Sequence, residues 1–182
     1  SQKKILIKYL PFMNADYYYG VSKIYFRWIL FNIIKIADLN RSNKIILDYG
    51  CGSKELGKIL KNQKVLNYDI NPHYTDHDDY KNLKFDIIIL NHVLMYMEDE
   101  EILSMFRNVK KMNAKCKFVI GIGKEGFVNK LAAILALNFK AHKGTKNNYK
   151  NQLNLIKSNM NIIDLKKNIF FMTDVFYTSF KD

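Results

Sequence analysis

The chain has 182 residues, 48% of them apolar, which is the size and composition of one domain with one core. Twenty-nine lysines and arginines against 17 acids leave a net charge of +12, which admits an anionic substrate, a phosphate-bearing carrier, nucleic acid or a membrane surface, although a solvated surface carries such an excess equally well. Cys51 and Cys116 lack CxxC spacing, which excludes a disulfide framework and a thiolate zinc site and points to a reduced, cytoplasmic chain; no apolar run is long enough for a leader or a bilayer span.

Residues Ser1 to Gly20 are broken by Pro11 and carry Tyr17, Tyr18 and Tyr19 ahead of a glycine. Val21 to Leu39 is a predicted helix whose wide apolar face includes Ile24, Tyr25, Trp28, Ile29, Phe31, Ile33, Ile34 and Ile36. Lys23, Arg27, Lys35, Ser22, Asn32 and Asp38 mark its polar side. Residues 1–42 therefore read as an N-terminal helical cap that packs on a core, closes over a greasy substrate or makes a peripheral membrane contact. Residues 43–182 then alternate strand and helix patterns. Ile45 to Asp48 reads as a buried strand, Ser53 to Asn62 as a helix, Val65 to Ile70 as a second strand and Phe85 to Asn91 as a third. Glu98 to Met112 is a helix with acids in its first turn and Lys110 and Lys111 in its last, as the helix dipole favours. Lys117 to Ile122 is a strand, Phe127 to Leu137 a helix, and about Asn148 to Met160 another helix. Ile162 to Phe171 and Val175 to Phe180 close the chain as a strand pair. The fold class expected is α/β, a single doubly wound, mostly parallel sheet with an antiparallel C-terminal edge and a shortened segment after the second strand.

In such a sheet, ligands sit beyond the carboxyl ends of the strands near the point where the strand order reverses. The first strand ends in Asp48-Tyr49-Gly50-Cys51-Gly52 and runs directly into a helix, so backbone there can approach a ligand without an intervening side chain. The second strand ends in Asn67-Tyr68-Asp69-Ile70-Asn71-Pro72, where an acid can accept both hydroxyls of a ribose. Gly121-Ile122-Gly123-Lys124-Glu125-Gly126 also matches GxGxxG, but Lys143, Gly144, Thr145 and Lys146 stand where a dinucleotide site needs its ribose-binding acid. That second glycine cluster is therefore expected to be a turn, on the substrate side.

These residues resemble the class I S-adenosylmethionine-dependent methyltransferases, in their small-molecule, type 11-like branch. Asp48 to Gly52 is similar to the glycine-rich first motif, Tyr68 to Pro72 to the acidic strand end, and Phe85 to Met97 to the fourth strand and its following loop; the likeness covers about Lys44 to Ile122. The resemblance implies a Rossmann-like methyltransferase fold with S-adenosylmethionine as cofactor. It implies Gly50, Cys51 and Gly52 at the methionine part, oriented by Asp48, and Asp69 with Ile70 at the ribose. Asp79 and Tyr80 would meet the adenine, while Asn91 and His92 would line the methionine and methyl end. Tyr68 reads equally as core packing. Two departures stand out: Lys54 occupies a position where many relatives have a third glycine, and the link from Asn71 to Lys84 has room for at most a short strand.

Methyl transfer from a sulfonium is an in-line displacement that mainly requires alignment, with a base where the acceptor holds a proton. His92 is the candidate base, since imidazole titrates near neutrality. Tyr96, His142, Lys143, Lys146 and Tyr149 are candidate substrate contacts, because the basic stretch from Lys140 to Lys150 can hold a phosphate or carboxylate. His73 to Asp79 is rich in histidine and aspartate, yet a polar loop has the same composition, and no metal is expected. The function expected is methylation of a small or carrier-linked acceptor, anionic or lipid-attached. The alternatives are an RNA methyltransferase, against which Asn91-His92-Val93-Leu94 lacks the Asn-Pro-Pro-Tyr type of loop, and a catalytically silent partner subunit.

Overall fold

The computed structural model describes residues 21–124, 146–169 and 172–181. The predicted helix from Phe127 to Leu137, together with His142 and Lys143, lies outside the described residues. Ten elements position the site. Helix α1 (Val21–Ile36) is followed by β1 (Ile46–Tyr49), α2 (Glu55–Ile59), β2 (Val65–Tyr68) and β3 (Ile87–Asn91). Then come α3 (Asp99–Met112), β4 (Lys117–Gly123), α4 (Tyr149–Asn159), β5 (Met160–Ile169) and β6 (Thr173–Phe180).

The sheet runs β2-β1-β3-β4-β6-β5. Strands β2, β1, β3 and β4 are parallel, and β6 is antiparallel to both β4 and β5, as the strand pattern predicts. The order reverses between β1 and β3, so the crevice for a ligand falls at the carboxyl ends of those two strands. Among the described residues no strand lies between β2 and β3. The link instead forms a 3-10 turn at Tyr80–Asn82, and the Asp76 N–H donates to the Asn67 carbonyl on the open side of β2.

Strand β3 shows why the sheet forms. Its apolar residues alternate between two cores, Ile88 and Leu90 facing α3 and Ile87 and Ile89 facing α1, and all four are at most 1% exposed. A strand buried on both faces needs a continuous apolar run, which this one has. Helix α1 seats Ile29, Leu30, Ile33 and Ile34 on Ile46, Ile89, Val119 and Val175. Fully buried side chains such as Ile29 and Ile33 each contribute roughly 1.5–3 kcal/mol. Helix α3 is started by a capping box in which the Glu98 side chain accepts from the first turn and Glu101 Oε2 accepts from the Glu98 N–H at 2.7 Å.

Two boundaries are tighter than the residue pattern suggests. The predicted helix from Val21 to Leu39 ends at Ile36, because Asp38 turns left-handed at φ 47° and starts a 3-10 turn at Leu39–Arg41. The predicted helix from Ser53 to Asn62 is a single short one, Glu55–Ile59, preceded by Lys54 at φ 60°. Among the described residues, no helix is long and apolar enough to cross a membrane.

Candidate active site

The first glycine turn sits at the carboxyl end of β1. Gly50 and Gly52 both have positive φ, 78° and 46°, a backbone that side chains resist. The two glycines differ in surroundings. A Cβ on Gly50 would stand 2.6 Å from Val93 Cγ2, whereas one on Gly52 would meet nothing within 4 Å. Gly50 thus lets the loop after β3 close on the turn, and Gly52 leaves open space.

Asp69, just past β2, holds this turn in place. Its Oδ2 accepts from the Gly52 N–H at 3.0 Å and its Oδ1 from the Asn71 N–H at 2.9 Å. Each carboxylate oxygen has capacity for a further bond. Ile70 follows with its side chain 80% exposed, an apolar surface left uncovered beside the acid. Asp48 is buried on the α1 face, and burial, reinforced by Asp69, pushes its carboxyl up to about 7. Burial, with Asp48 and Asp69 behind it, likewise pushes the Cys51 thiol up to about 12, so the sulfur keeps its proton and is no nucleophile.

A cleft opens between this turn and α1. Phe26, Arg27 and Leu30 form one wall, and Asp48, Gly50, Cys51, Ser53 and Asn91 contribute to the other. Asn91 Oδ1 is buried without a hydrogen-bond partner, and such an orphaned acceptor is costly unless a ligand satisfies it. His92 follows at φ 57°. The second glycine cluster explains how these two side chains fit. A Cβ on Gly121 would be 2.8 Å from Asn91 Oδ1, and one on Gly123 would be 3.1 Å from His92 Cε1. Gly121 and Gly123 therefore form a bare floor on which Asn91 and His92 lie.

Other predicted site residues fall elsewhere. Tyr80 is 6% exposed and packs edge-on against Tyr49 and Tyr68 at 5.2 and 5.4 Å, inside the core rather than facing the turn. Asp79 caps the 3-10 turn, its Oδ1 accepting from the Lys81 N–H at 3.0 Å. Lys146 sits 3.5 Å from both Glu98 and Glu101. Tyr149 donates to buried Asp174 Oδ2 at 2.7 Å, and burial followed by that bond pushes its hydroxyl up to about 12. Tyr96 is 45% exposed. None of Tyr96, Lys146 and Tyr149 lines the cleft beneath α1. In the stretch from His73 to Asp79, Asp76 pairs with Lys54 at 2.5 Å and with Asn67 at 2.8 Å. Among the described residues no group of three or more His, Cys, Asp or Glu side chains converges as a metal set. Residue patterns did not point to Arg27 or Leu30, because their place in the cleft depends on how α1 crosses the sheet.

A glycine turn, an acid at the neighbouring strand end and a cleft at the reversal point are the parts of a nucleoside-cofactor site. Residues 22–117, more than half of the chain, match a family described as a methyltransferase domain. The chain belongs to that family. It is a class I S-adenosylmethionine-dependent methyltransferase, and solved structures share its fold across almost its whole length. The PH0226 protein from Pyrococcus horikoshii OT3 is 14% identical over 96% of this chain and 98% of its own, with a TM-score of 0.68. Magnesium protoporphyrin IX methyltransferase from Synechocystis PCC 6803, solved with bound SAH, is 14% identical over 98% of this chain and 100% of its own, with a TM-score of 0.58. The N-methyltransferase NodS from Bradyrhizobium japonicum WM9, in complex with S-adenosyl-l-homocysteine, is 12% identical over 87% of this chain and 88% of its own, with a TM-score of 0.61. No curated protein matches the sequence.

Proposed function

We propose that this methyltransferase holds S-adenosylmethionine in the cleft between α1 and the first glycine turn and methylates a small or carrier-linked acceptor. The methionine end lies along Gly50, Cys51 and Gly52. Its ammonium meets Asn91 Oδ1 and Asp48, and its carboxylate faces the exposed Arg27 guanidinium. The ribose hydroxyls take the remaining acceptor capacity of Asp69, and the exposed Ile70 side chain offers an apolar surface to the adenine. The cofactor supplies an electrophilic methyl group; the protein's part is to hold sulfur, methyl and acceptor in line and to keep water out.

The observation that supports this placement is the buried, unpartnered Asn91 Oδ1 of a cleft-lining side chain, together with side-chain-free space at Gly52 on the turn whose Gly50 and Cys51 line the same cleft. A cationic donor supplied by the cofactor satisfies the first, and close backbone approach uses the second. The small-molecule acceptor is supported by the magnesium protoporphyrin IX methyltransferase, whose name states a small molecule and whose whole length this fold matches. Titration calorimetry with S-adenosylhomocysteine tests the placement. Asn91→Ala should weaken binding about tenfold, the roughly 1.5 kcal/mol expected of a hydrogen bond to a charged donor. Unchanged affinity would mean that the ligand sits elsewhere.

A further inference from the structure

Helix α1 is apolar on both of its sides. Ile29 and Ile33, neither of them exposed at all, seat its inner face on the sheet, and the Tyr25 hydroxyl pairs with buried Thr173 Oγ1 at 2.5 Å. Those contacts fix how the helix is rotated about its axis. A turn of about 100° per residue then places Ile24, Trp28, Phe31 and Lys35 on one stripe opposite Ile29 and Ile33. Ile24, Trp28 and Phe31 are 67%, 52% and 57% exposed. A helix on the surface of a globular protein carries polar residues along that side. Three large apolar side chains one turn apart instead form a ridge, unlike the single apolar residues scattered over any surface.

The charges around the ridge indicate what it meets. Lys35 ends it, Arg27 stands between it and the cleft, both are exposed, and α1 contains no aspartate or glutamate. From Val21 to Leu47 the chain carries five lysines and arginines and a single acid, Asp38. A second copy laid on this face would set Arg27 and Lys35 against each other or against apolar side chains, with no acid of α1 to receive them. An anionic lipid surface suits both parts. Its headgroups attract the cations, and tryptophan, phenylalanine and isoleucine enter the boundary between headgroups and acyl chains. The net charge of +12 steers the whole chain the same way.

We propose that the outer face of α1 docks on an anionic membrane surface, with Ile24, Trp28 and Phe31 inserted at the headgroup boundary and Lys35 against the headgroups. The contact is peripheral and lies along the helix axis. Phe26, Arg27 and Leu30 of the same helix wall the cleft, so docking on this face brings the cleft to the lipid surface.

Trp28 is the chain's one tryptophan, so the ridge reports its own surroundings. When vesicles of mixed phosphatidylcholine and phosphatidylserine are added to the chain, Trp28 emission should shift to the blue and be quenched by lipids brominated along the acyl chain. The protein should sediment with these vesicles, and bind vesicles of phosphatidylcholine alone at least about fivefold more weakly. The double variant Ile24→Ser with Phe31→Ser keeps the reporter and should lower partitioning at least about tenfold, and Lys35→Gln should lower it about fivefold. Circular dichroism checks that both variants fold. None of these three residues lines the cleft, so S-adenosylhomocysteine affinity, measured by calorimetry without vesicles, should match the wild type. That measurement reads the cofactor placement separately, and its failure would not count against docking. Unchanged Trp28 emission in the presence of the mixed vesicles, or equal partitioning of the wild type and the folded double variant, would overturn the proposal. So would a dimer in sedimentation velocity that the same two substitutions dissolve, because the ridge would then belong to a second copy.

Discussion

Alanine at Gly52 and alanine at Gly50 should have unequal consequences for stability, although only one residue separates them. At Gly52 the backbone has φ 46° and a Cβ would touch nothing within 4 Å. The penalty is then backbone strain alone, about 1–2 kcal/mol. At Gly50 the strain at φ 78° is joined by a Cβ placed 2.6 Å from Val93 Cγ2. Repacking of that kind adds about 1–3 kcal/mol, for a total of roughly 2–5 kcal/mol. Urea denaturation should therefore show a small loss for Gly52→Ala and a severe one for Gly50→Ala. Binding should follow a different order. The space that the Gly52 methyl would occupy is the space assigned to the methionine end, so Gly52→Ala should bind S-adenosylhomocysteine at least tenfold more weakly, or about 1.4 kcal/mol. Calorimetry on the folded variant reads that directly. If Gly52→Ala bound as tightly as the wild type, the methionine end would not lie on this turn.

Three further outcomes follow from the same geometry. Asp48 has its carboxyl raised by burial, then by Asp69, from 3.8 to about 7, so the folded state holds that proton more tightly than the unfolded state. Stability should thus fall as pH rises from about 4 to about 7 and level off above, and Asp48→Asn should flatten that fall in urea midpoints measured across the range. Gly121→Ala should displace the Asn91 carboxamide, whose Oδ1 would be 2.8 Å from the new Cβ. The colliding atom is the end of a side chain that can rotate, so stability should drop by only about 1 kcal/mol while S-adenosylhomocysteine affinity falls as in Asn91→Ala. Ile33→Ala removes a side chain with no exposure from the joint between α1 and the sheet, and should lower unfolding free energy by roughly 2–5 kcal/mol in urea.

Much of the sheet was legible because parallel strands buried on both faces are written as unbroken apolar runs, and Ile87 to Leu90 is one. The glycine turn and Asp69 were legible because both act through local backbone. What depends on the relative placement of strands was not. Gly121 and Gly123 match a dinucleotide pattern, and their actual role as a floor for Asn91 and His92 follows from β3 lying beside β4. Thr173 reaches His92 through the antiparallel register of β4 and β6, and Tyr25 reaches both through the crossing of α1. Tyr80 lies next to the polar Asp79, yet its ring enters the Tyr49 and Tyr68 cluster, in the same core as Phe106 and Ile102 of α3. The helix predicted from Ser53 to Asn62 starts late because Lys54, with no glycine to ease the left-handed turn, still takes φ 60° and delays the helix start to Glu55; it ends at Ile59, where Leu60 leaves helical geometry at ψ 49°.

The cofactor site itself is tested most directly by titrating S-adenosylhomocysteine into the wild-type protein and Asp69→Ala, with circular dichroism as the check on folding. Asp69 both holds Gly52 and offers the ribose its acceptors. One-to-one saturable binding by the wild type, weakened at least tenfold in a folded Asp69→Ala, is the expected result. Equal affinity in the two proteins, or no binding by the wild type, would contradict the site at the ends of β1 and β2.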